Sequence, residues 1–265
     1  MALQGNDATL TVLGAGSILP RANYGCSGYA LRPSAGARVT LFDCGPGSIR
    51  MLGNVGIELG EVERVVLSHF HIDHCLDVFA LAFARNNKAF QPAPPLEIVG
   101  PVGLAAMLAR GEHSLARIAK DPRATVTEVA LDAGGRASLD RPGMRLSCVA
   151  NGHTSEAVSW RADLGYGASL AYTGDTPANP RVAELAREVD LFAIECSNPD
   201  ERAVPGHLTP TSAGELARDS RCRRALLTHF YPDMQPELAR AVASRVYHGP
   251  IELARDGSVH ALRGR

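Results

Sequence analysis

Short apolar runs and amphipathic stretches alternate along the whole chain. Residues 9–17 read as a strand entering a glycine turn, and residues 27–32 and 38–43 as two more strands around Pro33-Ser34-Ala35-Gly36. Apolar positions fall at helical spacing over 48–55, and 77–85 is apolar enough for a buried helix. Residues 86–95 form a polar, proline-containing loop, expected as a mobile rim over any site. A short strand over 96–100, a helix opened by proline from 101 to about 113, and a half-exposed strand over 125–131 follow.

Gly134-Gly135 marks the expected midpoint. Beyond it the pattern predicts strands over 145–150, 157–162, 168–173, 190–195 and 224–228, helices over 180–188, 211–219 and 236–247, and closing strands over 251–253 and 259–262. Interleaved strands and helices predict an α/β layered fold with the helices outside. No linker or low-complexity segment interrupts it. The expected organisation is one domain over 1–265 made of two similar halves, about 1–133 and 134–265.

Composition narrows the function classes. The 27 basic and 28 acidic residues leave a net charge of −1, which disfavours a large nucleic-acid footprint, since that normally shows as a basic surplus. Residues 1–7 carry neither a basic nor an apolar leader segment, and no apolar run reaches membrane-spanning length. The six cysteines are widely spaced with no C-x-x-C pair, as expected of reduced, packed thiols in a cytoplasmic protein. Gly14-Ala15-Gly16 lacks the third glycine and the following helix of a dinucleotide site.

The chemistry concentrates in Ser68-His69-Phe70-His71-Ile72-Asp73-His74, after the apolar run Val65-Val66-Leu67. Three imidazoles and a carboxylate within six positions are divalent-metal ligands, and packing alone requires no such density. On an extended segment, His69 and His71 point to the same side, and Asp73 and His74 follow as the chain turns. Three further residues sit just past expected strands beside glycine or threonine: His153 in Asn151-Gly152-His153-Thr154, Asp175 in Thr173-Gly174-Asp175-Thr176, and His229 in Thr228-His229-Phe230. Strand ends facing one side form the crevice in which sheet proteins bind ligands.

Together these motifs resemble the metallo-β-lactamase superfamily, and within it the ribonuclease Z-like phosphodiesterase branch. The turn Leu13-Gly14-Ala15-Gly16-Ser17, and Glu195 followed by His207-Leu208-Thr209, are similar to that branch. The resemblance implies a four-layer αββα sandwich with a dinuclear site at one edge, usually zinc, with manganese or iron as alternatives. It implies one ion on His69, His71 and His153, a second on Asp73, His74 and His229, and Asp175 bridging both. A hydroxide shared by the two ions would be the nucleophile, oriented by Asp73. Ser68 and Thr228 are expected behind the ligands.

Glu195 and His207 are expected to pair, the carboxylate raising the imidazole's pKa so that it protonates the leaving oxygen. The chain departs from ribonuclease Z in reading Ile194-Glu195-Cys196-Ser197 in place of His-Glu-Ala-Thr. Only 21 residues separate His153 from Asp175, where tRNA-processing members carry a basic arm. A small or cyclic phosphodiester is therefore the expected substrate. The stretches 196–199 and 206–210 also look like class II cyclic-nucleotide phosphodiesterases. The alternatives are a lactone or thioester hydrolase on the same metals, a tRNA 3′-processing endonuclease, a mononuclear iron dioxygenase, or a non-catalytic binding member. No membrane partner is expected, and a homodimer is possible.

Cys75, His113, His248 and His260 are expected to be structural or surface residues and Trp160 a core residue. Arg161 is open between a substrate anion and an outward salt bridge. Phe70, Phe230 and Tyr231 flank ligands and are expected to line the pocket floor.

Overall fold

The computed structural model describes residues 8–114, 121 and 123–264; the reading of residues 1–7 lies outside them. The first sheet has seven strands: β1 (Ala8–Gly14), β2 (Gly28–Arg32), β3 (Val39–Cys44), β4 (Val62–Val66), β5 (Leu96–Pro101), β6 (Ala124–Val129) and, beside β1, the C-terminal β14 (Val259–Leu262). The second has β7 (Arg136–Arg141), β8 (Met144–Ala150), β9 (Val158–Leu164), β10 (Ser169–Tyr172), β11 (Leu191–Glu195), β12 (Ala225–Thr228) and β13 (Ile251–Leu253), in that spatial order.

The two sheets repeat one pattern of pairing. From β14 to β6 the successive pairs are antiparallel three times and then parallel three times. From β7 to β13 the same series recurs. Thus β3 corresponds to β10, β4 to β11 and β5 to β12. The last strand completes the repeat by crossing back to β1, where Ala8 faces Leu262.

Period-two alternation explains the layering. Val66, Val99, Leu191, Ala193 and Leu226 point between the sheets into one core with Trp160 and Tyr172. Their strand neighbours Val65, Ile98, Phe192, Ile194 and Leu227 point outward under helices. Over the first sheet lie α1 (Ser48–Asn54), the single turn α2 (Ile72–Cys75), α3 (Asp77–Arg85) and α4 (Leu104–Ser114); over the second lie α5 (Pro180–Leu185), α6 (Pro210–Ser220) and α7 (Pro236–Ala243). The outcome is the expected four-layer αββα sandwich. No helix among the described residues is long and apolar enough to cross a membrane.

Two expectations need correction, and one strand was not anticipated. Strand β7 has no apolar run to announce it: Arg136-Ala137-Ser138-Leu139-Asp140-Arg141 is an edge strand with exposed alternate positions. The helix expected from 101 begins at Leu104, because Pro101 still belongs to β5 and pairs with Val129. The loop 86–95 is not a rim over the site. It leads into the start of β5, and β5 runs parallel to β4 with Glu97 beside Arg64, so the loop lies at the end of the sheet where β4 begins. Phe90 packs against Gly60 there, and the buried Arg85 donates to Asp121 and to the Pro94 carbonyl.

Candidate metal centre

Every predicted ligand lies beyond the C-terminal end of a strand, at one edge of the sandwich. Strand β4 ends at Val66; Ser68 and His69 follow in irregular chain, and Asp73 and His74 sit on α2. The loops after β8, β10 and β12 bring His153, Asp175 and His229. Two glycines permit the approach. A Cβ on Gly45 would lie 1.9 Å from the Asp73 carbonyl oxygen, and one on Gly174 would lie 2.7 Å from the Ser68 Cβ. His229 itself sits at φ 58°, a left-handed conformation that costs a non-glycine residue on the order of 1 kcal/mol.

Asp175 stands between two groups of imidazoles. Its Oδ1 lies 3.2 Å from His74 Nε2 and 3.4 Å from His229 Nε2. Its Oδ2 lies 3.9 Å from His69 Nε2 and 3.8 Å from His153 Nε2. His71 Nδ1 is 3.2 Å from His153 Nε2, and Asp73 Oδ2 is 3.6 Å from His229 Nε2. Ligand atoms around one tetrahedral zinc are separated by about 3.3 Å when each bond is about 2.05 Å. The spacings fit two adjoining positions, one within His69, His71, His153 and Asp175, the other among Asp73, His74 and His229.

Unsatisfied atoms give the stronger test of fit. His69 Nε2, His74 Nε2, His229 Nε2 and Asp175 Oδ1 are all buried without a hydrogen-bond partner. Buried polar atoms are almost always paired, and leaving one unpaired costs about 1–3 kcal/mol. Four converging on one point are explained by divalent cations, for which unprotonated imidazole nitrogens and carboxylates are suitable donors. Burial first, and the neighbouring imidazoles next, push His69 well below the usual histidine range. Burial would raise Asp175, but His229 and His74 outweigh it and hold its carboxyl well below the usual range. The same balance, set by His229 and His74, keeps Asp73 ionised.

The opposite ring nitrogens are held from behind. Asp43, fully buried and at φ 55°, accepts from His74 Nδ1 at 2.6 Å, the Ser68 hydroxyl at 2.8 Å, the Ser68 amide at 2.7 Å and the Tyr172 hydroxyl at 2.6 Å. Ser68 Oγ in turn accepts from His69 Nδ1 at 2.9 Å. His153 Nδ1 donates to the Gly206 carbonyl at 2.9 Å. Asn151 accepts from the His153 amide and donates to the Thr173 and Asp175 carbonyls, tying the two ligand turns together. Each contact fixes a ring so that its other nitrogen faces the centre.

Sequence reasoning passed over Asp43, Asn151, Tyr172 and Ser197. Asp43 carried a usable signal, a strand-end carboxylate before Gly45-Pro46-Gly47, the kind of placement that singled out Asp175. Thr228 does not support a ligand; its hydroxyl pairs with Tyr29 at 2.7 Å.

Beside this cluster, His207 Nδ1 donates to Glu195 Oε2 at 3.2 Å and lies 3.9 Å from Asp175 Oδ2. Its ring stacks on His229 with an interplanar angle of 8°. Burial opposes the charged form, but Glu195 outweighs it and raises the His207 pKa above the ordinary value. Tyr231 closes the pocket against both rings, whereas Phe230 is buried in the core and Phe70 packs beneath α4. Arg161 resolves as an outward salt bridge with Asp163. The Cys75 thiol points at the Phe70 carbonyl, and burial pushes its pKa up to about 12. His113 and His248 are exposed, and His260 pairs with Glu252.

Comparison with known proteins bears on the family and the fold. Residues 38–230 match the model of the beta-lactamase superfamily domain. The chain is 32% identical over 256 residues to an uncharacterised protein of Mycobacterium leprae, covering 90% of this chain and 87% of the relative. It is 28% identical over 270 residues to a ribonuclease Z of Mycobacterium avium, covering 93% and 95%. The crystal structure of the metallo-β-lactamase fold protein YhfI from Bacillus subtilis superposes with a TM-score of 0.84 at 22% identity, covering 97% of this chain and all of that one. On this family match, the chain belongs to the metallo-β-lactamase superfamily.

Proposed function

We propose that the protein is a phosphodiesterase that acts on a small or cyclic phosphodiester with two divalent ions, zinc by donor chemistry. The observation that carries this reading is the Glu195–His207 pair set against the imidazole cluster. Phosphodiester cleavage needs a proton for a poor leaving oxygen, and a cationic imidazole beside the reacting centre supplies it. When bound, the ions would lower the pKa of water in the site and neutralise charge that develops on the phosphoryl oxygens.

The chain's own residues do the rest. His69, His71 and His153 would hold one ion, Asp73, His74 and His229 the other, with Asp175 between them. The ionised Asp73, at the open side of the second set, would orient the attacking water. Glu195 keeps the His207 proton available, so that the ring gives it to the departing oxygen and recovers it from solvent. Tyr231, half-buried against His207 and His229, narrows the opening.

The size of the substrate follows from what joins His153 to Asp175. That segment is taken up by β9, β10 and the tight turn at Gly165-Tyr166-Gly167, which leaves no chain for an arm that grips a folded RNA. A small-molecule substrate therefore suits this site better than tRNA. The test is a side-by-side assay of bis(p-nitrophenyl) phosphate, small cyclic phosphodiesters, lactones and thioesters on protein of measured metal content. Turnover confined to phosphodiesters is expected. Turnover of lactones or thioesters with none of the phosphodiesters would overturn the reading.

A further inference from the structure

Two buried serines occupy equivalent places in the repeated sheets. Ser68 is the second residue past β4, and Ser197 is the second residue past β11, the strand that corresponds to β4. Both are fully buried. Each hydroxyl receives an imidazole Nδ1 proton, Ser68 from His69 at 2.9 Å and Ser197 from His229 at 3.0 Å, and Ser197 Oγ also lies 3.3 Å from His207 Nδ1. Each then donates to a buried carboxylate, Ser68 to Asp43 at 2.8 Å and Ser197 to Glu195. The two imidazoles belong to different groups, His69 to the first and His229 to the second.

A hydroxyl with both roles filled cannot rotate to another partner, so the tautomer of the ring above it is fixed. His69 and His229 must therefore present unprotonated Nε2 atoms to the centre, and these are two of the four orphaned atoms there. We propose that Ser68 and Ser197 are paired positioning residues, each setting the affinity of one metal position: Ser68 the position of His69, His71 and His153, Ser197 that of Asp73, His74 and His229. The proposal rests on the two-metal reading above.

The relays differ at their far ends. Asp43 also holds His74, a member of the other group, whereas Glu195 also holds His207, which belongs to neither three-residue set. Ser197 thus ties occupancy of the second position to the placement of the proton donor. Ser68 ties the first position to the second.

Metal-free protein titrated with Zn2+ against a chromophoric chelator tests this without any substrate. Two binding steps are expected, with His71→Ala removing one and His229→Ala the other. Ser197→Ala should weaken the step lost in His229→Ala by about tenfold or more, the size of effect usual for a residue that supports a ligand from behind. The other step should stay within about threefold. Ser68→Ala should do the converse, and Ser197→Thr, which keeps the hydroxyl, should bind like wild type. Thermal unfolding of the metal-free forms reports folding, and Ser197→Gly serves as a second hydroxyl deletion if the alanine variant does not fold. Two intact steps in both serine-deletion variants, or equal weakening of both steps, overturn the proposal while leaving the two-metal reading in place. A wild-type chain that takes up no Zn2+ overturns both.

Discussion

The imidazole of His207 and the carboxylate of Glu195 meet at 3.2 Å, Glu195 at the end of β11 where it pairs with Thr228, His207 on the loop between β11 and α6. In the proposed reaction His207 supplies a proton and stands outside the two three-residue sets, although with Asp175, Glu195 and His229 it forms a further group of ligand type. His207→Ala should lower phosphodiester turnover by about 10²- to 10⁴-fold. Metal content, read by elemental analysis, should remain that of wild type. Unchanged turnover would remove His207 from the reaction.

Asp43 supports both groups, directly through His74 and through Ser68 to His69. Asp43→Asn replaces one acceptor oxygen by a donor facing other donors. Both zinc affinities should fall, each by about 10- to 100-fold, unlike the one-position effect expected of either serine. Chelator competition measures it.

Gly45 passes so close to α2 that a side chain there must displace backbone. Gly45→Ala should destabilise the fold by about 1–3 kcal/mol and loosen Asp73. Gly53, exposed on α1 with nothing near its Cβ position, is the control: Gly53→Ala should stabilise by about 0.5–1 kcal/mol. Urea unfolding of the two variants distinguishes a packing limit from a general intolerance of alanine for glycine.

Glu97 of β5 reaches across to Arg141 of β7, Nε to Oε2 at 2.9 Å, and also accepts from Arg64 of β4 at 2.8 Å. Burial opposes its charge, but Arg141 and Arg64 outweigh it and bring the carboxyl down from 4.5 to about 2. A carboxyl depressed on folding stabilises the protein above its unfolded pKa, and this contribution is lost as pH falls through the folded one. Glu97→Gln should therefore cost about 1–3 kcal/mol at pH 7, with the difference from wild type shrinking between about pH 4.5 and pH 2. Denaturant melts across that range check it.

The elements with clear periodicity were legible within a few residues, because β11 and β12 are almost wholly apolar and the apolar pairs Val65-Val66 of β4 and Ile98-Val99 of β5 leave little choice. Strand β7 was not, because an exposed edge needs no apolar signature. The ligands were legible for a chemical reason: imidazole and carboxylate at strand ends next to glycine have few structural uses. Ser197 was hidden because a serine means nothing until its neighbours are known in three dimensions. The loop 86–95 misled because polarity and proline mark a loop without saying at which end of a sheet it lies; the parallel pairing of β4 and β5 decides that.

Trp160, the one tryptophan in the chain, lies fully buried on β9 and donates its indole N–H to the Leu67 carbonyl at 2.9 Å. That carbonyl belongs to the residue immediately before Ser68, so the second sheet grips the first at the root of the histidine motif. The protein thereby carries its own fluorophore at the seam between its sheets. Excited apart from the six tyrosines, this one indole reports separation of the two layers at the residue before Ser68.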